Sequence, residues 1–218
     1  MINKDLQAWG RRIANMVVAP LASSGITPNL LTLIGLLLSF LTAAVIATGQ
    51  FTLGGVMLLC AGIFDMFDGA LARVTGKSTD FGAFFDSTLD RIAEAGVGLG
   101  LLWVYTARGA TVATTVLYAA MIGSLMISYA RARAESLNIE CKVGLMARPE
   151  RVIILSIGLL LGPTATFWAL VVLAVSTWTT VVQRIYHVWR ETEGRASSVE
   201  PPVPHHRPSP FRRKRIAS

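Results

Sequence analysis

Hydrophobic and polar positions along this chain come in long blocks. Over residues 1–20 the apolar positions Ile2, Leu6, Trp9, Ile13, Met16 and Val17 recur at helical spacing, while Lys4, Asp5, Gln7, Arg11 and Arg12 lie largely off that stripe. The pattern predicts an amphipathic helix lying in a membrane interface. Six apolar blocks follow, at 30–49, 52–73, 83–106, 110–135, 150–162 and 165–188, each read as a helix crossing a bilayer. Pro28, just after Thr27, stands at a helix-opening position that proline tolerates. Gly162-Pro163 predicts a tight turn or break before the sixth block. From Gly194 the chain changes to Pro, Ser, His and Arg and reaches Phe211-Arg212-Arg213-Lys214-Arg215, a composition that cannot bury a core. The expected architecture is an all-α membrane protein of six transmembrane helices. Residues 1–20 form the juxtamembrane helix, 21–193 the six-helix domain, and 194–218 a disordered basic tail.

Composition agrees with a bilayer protein. The 218 residues are 53% hydrophobic and only 15% charged, well below the quarter usual for soluble domains. The net charge of +7 would suit nucleic acid on a soluble face, but the basic residues sit beside apolar blocks, so no nucleic-acid partner is expected. Arg73, Lys77, Arg131, Arg133, Lys142, Arg148, Arg151 and both basic termini fall on one side of a six-span chain. The opposite loops offer only Arg108. The positive-inside rule then puts both termini on the cytoplasmic face of the cell membrane, and the end of the tail near anionic headgroups. Cys60 and Cys141 offer no disulfide or zinc framework.

The apolar blocks carry an unusual load of acid. Asp65 and Asp68 share one face of the second block by their i, i+3 spacing, and Gly82, Asp86 and Asp90 share one face of the third. A carboxylate near the middle of a bilayer costs roughly 2.5–3.5 kcal/mol on insertion scales. Divalent cations are the natural compensation, and all-oxygen ligands favour Mg²⁺, Mn²⁺ or Ca²⁺. One or two such ions could clamp a diphosphate and stabilise attacking and leaving oxygens at phosphorus. Gly69 and Gly82 would let a nucleotide approach the backbone, Arg73 would neutralise phosphate oxygens, and Asp90, deeper along its helix, could act as a general base. A small transporter with an acidic ion site is the alternative from another class. It is disfavoured because the acids cluster at one interface and no inverted repeat is evident.

Asp-x2-Asp-Gly-x2-Ala-Arg-x8-Gly-x3-Asp-x3-Asp, running from Asp65 to Asp90, resembles the signature of the CDP-alcohol phosphotransferases at every defined position. Thr27-Pro28-Asn29, the six blocks and the N-terminal helix are similar to that family as well. The resemblance implies transfer of a phosphatidyl group from CDP-diacylglycerol to an alcohol, with release of CMP. It implies metal ligation by Asp65, Asp68 and Asp86, and by Asp90 as ligand or base, with Mg²⁺ or Mn²⁺, two ions, as the cofactor. It implies a CDP site built from Pro28, Asn29, Gly69, Ala72, Arg73 and Gly82, and a homodimer.

The signature does not encode the acceptor. Ser128-Tyr129-Ala130-Arg131-Ala132-Arg133-Ala134-Glu135 closes the fourth block and Arg148-Pro149-Glu150-Arg151 opens the fifth. Arg131 and Arg133 lie about 200° apart on an ideal helix, whereas Arg148 and Arg151 can act together. Guanidinium groups bind phosphate with bidentate geometry, so a pocket of Ser128, Arg131, Arg133, Arg148 and Arg151 suits a phosphorylated alcohol. These segments resemble the phosphatidylinositol-phosphate branch of the family, which implies 1D-myo-inositol 3-phosphate as acceptor and phosphatidylinositol phosphate as product. A glycerol 3-phosphate enzyme, a phosphatidylglycerophosphate synthase, is the alternative. Glu94, four residues after Asp90, is expected to make a structural hydrogen bond, and Gly96, Gly98 and Gly100 to permit close helix contacts.

Overall fold

A computed structural model describes residues 27–76 and 79–198, with Asp68, Gly69, Ala72 and residues 195–198 described by their helical backbone alone. The helix expected over 1–20 lies outside the described residues, as does the tail expected over 194–218 except for residues 194–198, which continue the last helix. Among the described residues there are six helices and no strand: α1 (Pro28–Ala47), α2 (Phe51–Thr75), α3 (Asp80–Ala107), α4 (Thr111–Ser136), α5 (Arg148–Leu160) and α6 (Pro163–Ser198).

Local sequence sets the ends. Thr27 caps α1, its hydroxyl accepting from the Leu30 amide, and Pro28 occupies the first turn, where a missing N–H costs nothing. Thr79 caps α3 in the same way through the Gly82 amide at 3.0 Å. Gly162 adopts φ +100° between α5 and α6, a left-handed geometry open to glycine without strain, and Pro163 starts the next helix. The largest departure from the sequence expectation is α6, which runs ten residues beyond position 188. Its last stretch, with Arg190, Glu191 and Glu193, is polar but helix-forming, so the apolar block ends before the helix does.

The helices close into a ring. In spatial order α1 contacts α2, α2 contacts α5, α5 contacts α6, α6 contacts α4, α4 contacts α3, and α3 returns to α1. The α1–α3 crossing is tight because a Cβ on Gly100 would collide with the Ala43 carbonyl oxygen. Ile46, Leu101, Leu159 and Leu170 are fully buried in the half of the ring near the Gly49, Arg108 and Gly162 connections. The outside is apolar too, with Leu37 69% and Trp103 68% exposed, whereas Thr42, Thr166 and Thr177 are fully buried. Small polar side chains inside and large apolar ones outside are what helix packing in lipid favours.

Among the described residues, three helices are long and apolar enough to cross a membrane: Pro28–Ala47, Thr111–Ser136 and Pro163–Gly194. Phe51–Phe67 is a shorter apolar segment. The first 15 residues of α3 carry Asp80, Asp86, Asp90, Arg91 and Glu94, which dilutes its hydropathy. The 13 residues of α5 reach only about 20 Å at 1.5 Å per residue.

Candidate active site

The ring encloses a narrow cavity of about 70 Å³ that draws lining residues from all six helices. Leu101, Leu117 and Leu170 line its apolar part, and Asp65, Asp90, Arg148 and Arg151 its charged part. Asp65 lies ten residues before the end of α2, and Asp90 ten residues after the start of α3. At 1.5 Å per residue the carboxylates sit about 15 Å along the helices from that end of the ring.

The antiparallel pair α2 and α3 brings Asp65, Asp86 and Asp90 together. Each offers a carboxylate oxygen, and these oxygens all lie within 4.8 Å of one another. Arg148, the first residue of α5, crosses to this group. Its guanidinium pairs with Asp65, and its Nη2 lies 2.8 Å from Asp90 Oδ1. Arg91 Nη1 stands 3.7 Å from the other Asp90 oxygen. Three converging carboxylates form a hard, oxygen-only donor set, which fits Mg²⁺ or Mn²⁺. Asp68, Gly69 and Ala72 lie on α2 within the motif, and their side chains fall outside the described residues.

The other expected residues separate into those near the carboxylates and those apart from them. Pro28 and Asn29 open α1 beside the start of α3, where a Cβ on Gly82 would lie 3.6 Å from Asn29 Oδ1 and 3.0 Å from Thr79 Oγ1. Arg73 is exposed on the last turn of α2. Arg151 is buried, and its Nε and Nη2 donate to Glu94 at 3.0 and 3.1 Å. Arg131 and Arg133 are exposed at the end of α4 and engage their own helix, Arg131 with Glu135 at 2.8 Å and Arg133 with Ser136 at 3.4 Å. Ser128 is half-buried one turn earlier.

Two features escaped the sequence reading. Glu94 makes the expected structural bond, accepting from Ser124 at 2.7 Å, but it also carries the ion pair to Arg151. Arg184 on α6 is buried and donates to the carbonyl oxygens of Val143 and Ile127, tying the α4–α5 connection to the last helix. An arginine inside an apolar helix was the available signal.

The family's sequence pattern, that of the CDP-alcohol phosphatidyltransferases, matches residues 25–189. The chain belongs to that family. It is therefore an enzyme, a transferase of phospholipid synthesis, and the family's dependence on divalent metal agrees with the carboxylate cluster. An archaetidylinositol phosphate synthase of Methanothermobacter thermautotrophicus is 39% identical over 194 residues, covering 87% of this chain and 97% of its own. A phosphatidylinositol phosphate synthase of Mycobacteroides abscessus is 38% identical over 184 residues, covering 81% and 84%. Among solved structures, the phosphatidylinositol phosphate synthase of Mycobacterium tuberculosis with CDP-DAG bound superposes with a TM-score of 0.76 at 33% identity, covering 82% of this chain and 94% of that one. The same enzyme in complex with manganese and citrate gives 0.74 at 32% identity, covering 81% and 88%.

Proposed function

We propose that this transferase moves the phosphatidyl group of CDP-diacylglycerol to 1D-myo-inositol 3-phosphate, giving phosphatidylinositol phosphate and CMP. One observation carries the reading. Asp65 and Asp90, suited to a metal-held diphosphate, line the same cavity as Arg148 and Arg151, suited to a second phosphate. The relatives that make inositol-phosphate lipids support the choice of acceptor.

In this reading Asp65, Asp68, Asp86 and Asp90 hold one or two divalent ions, Mg²⁺ or Mn²⁺. When bound, such ions supply charge neutralisation of the diphosphate and of the departing CMP. Pro28, Asn29, Gly69, Ala72, Arg73 and Gly82 form the CDP site, where helix starts and missing side chains allow close backbone approach. Ser128, Arg131, Arg133, Arg148 and Arg151 receive the acceptor phosphate. Asp90 takes the proton of the acceptor hydroxyl, whose oxygen forms a bond to the lipid-side phosphorus as the bond from that phosphorus to CMP breaks.

The same reading extends to the setting. All six helices span the cell membrane, with the carboxylate end and both termini facing the cytoplasm. Residues 1–20 lie in the interface as an amphipathic helix, 21–193 form the transferase domain, 194–218 form a basic tail, and two copies pair as a homodimer.

The test is CMP release by purified protein supplied with CDP-diacylglycerol, divalent metal and one acceptor at a time. Turnover with inositol phosphate, but not with inositol or glycerol 3-phosphate, is the expected result. Turnover with glycerol 3-phosphate alone would keep the metal site and reject the acceptor. No metal-dependent CMP release with any acceptor would reject the chemistry.

A further inference from the structure

Glu94, Arg151 and Ser124 meet where α3, α5 and α4 come together. Arg151 is only 5% exposed, and its guanidinium lies fork-to-fork on Glu94, Nε to Oε1 at 3.0 Å and Nη2 to Oε2 at 3.1 Å. The Ser124 hydroxyl donates to Oε1 at 2.7 Å and fixes the carboxylate in turn. None of the three belongs to the aspartate motif.

Their placement argues for more than packing. Glu94 lies one turn beyond Asp90 on α3, and Arg151 one turn beyond Arg148 on α5. The pairs Arg148–Asp90 and Arg151–Glu94 therefore stack as successive rungs between the two helices. Glu94 occupies only one edge of the guanidinium. Among the described residues no group accepts from Arg151 Nη1, and Arg151 lines the cavity that also holds Asp65, Asp90 and Arg148. Stability alone would be served as well by an apolar pair, because burying two charges costs desolvation that their attraction barely offsets. A bidentate carboxylate does what an apolar neighbour cannot: it fixes the plane of the guanidinium as well as its position.

We propose that Glu94 is a positioning residue, holding Arg151 rigid with its Nη1 edge toward the phosphate of the acceptor, and that Ser124 orients Glu94. The inference rests on the acceptor pocket assigned above. A donor fixed before binding loses little freedom when phosphate arrives, and its direction selects the phosphorylated alcohol over the neutral one.

Steady-state kinetics of Glu94→Gln, Arg151→Gln and the double variant, with CDP-diacylglycerol and 1D-myo-inositol 3-phosphate, test this. Each single variant is expected to raise the acceptor KM by about tenfold or more, the scale of losing a partner that orients a ligating side chain. The KM for CDP-diacylglycerol stays within about twofold, and the double variant is no worse than Arg151→Gln, because Glu94 acts through that residue. A raised acceptor KM in Arg151→Gln but not in Glu94→Gln, or effects that multiply in the double variant, would overturn the positioning role and leave the acceptor pocket standing. An unchanged acceptor KM in Arg151→Gln would remove the pocket and this inference with it. Should Glu94→Gln not yield folded protein, Ser124→Ala decides. A rise of about tenfold or more in acceptor KM alone supports the role, the scale of losing an orienting partner, and a smaller rise or none overturns it.

Discussion

An aspartate inside an apolar helix needs a counter-charge within reach, and Asp65 and Asp90 meet one in Arg148, reaching across from α5. Asp86 completes the group without a salt bridge to any described cation within 4.0 Å. That makes Asp86 the residue whose loss reports metal binding most cleanly. Asp86→Asn keeps size and helical context while removing the charge of a proposed ligand, so turnover should fall by at least about 100-fold, the upper range for losing even an outer partner of a metal ligand. The protein should still extract folded and elute as the parent does, and retained turnover would reject the metal assignment. The carboxylates were legible in the sequence because their offsets are fixed by helical geometry within two consecutive helices. The pairing of Arg151 with Glu94 was not. It depends on how α5 registers against α3, helices that are not consecutive in the chain, and no spacing rule within one helix encodes that.

At the scale of elements, the starts of the helices were readable wherever a cap or a proline marks them, as at Thr27-Pro28 and Gly162-Pro163. The end of α6 was not, since polar helix formers carry it past the apolar block. The close approach of α1 and α3 follows from glycine in the third block, and it has a measurable consequence. Gly100→Val would drive a branched side chain into the Ala43 backbone, an overpacking that costs about 1–3 kcal/mol. The melting temperature in detergent should drop by several degrees, about 2–4 °C per kcal/mol for a chain of this length. Gly194→Ala, where an added Cβ meets nothing within 4 Å, should leave it unchanged or slightly higher. Equal melting of the two variants would mean that the α1–α3 crossing is looser than described.

For the whole molecule, the closed ring of helices separates two ends of different charge. Arg73, Arg133 and Arg148 gather at one end, and Arg108 stands at the other, its guanidinium 5.3 Å from the centre of the Phe51 ring. Single cysteines at Arg108 and Leu145, both exposed, in a chain with Cys60 and Cys141 replaced, will report the orientation. In intact cells a membrane-impermeant maleimide should label Arg108→Cys, and should reach Leu145→Cys only after lysis. The reverse pattern would invert the proposed topology. The depth of Asp65 and Asp90, about 15 Å along the helices from the charged end, bears on which nucleophile would reach the phosphorus. Water vastly outnumbers any alcohol, and an activated phosphodiester held at the membrane surface would be lost to hydrolysis. Set within the ring, beside a cavity that is apolar beyond its charged part, the same bond would be shielded from part of that water. Under the proposed reaction, an alcohol whose own phosphate is drawn down by arginines would win that partition, so fidelity would follow from depth as much as from recognition.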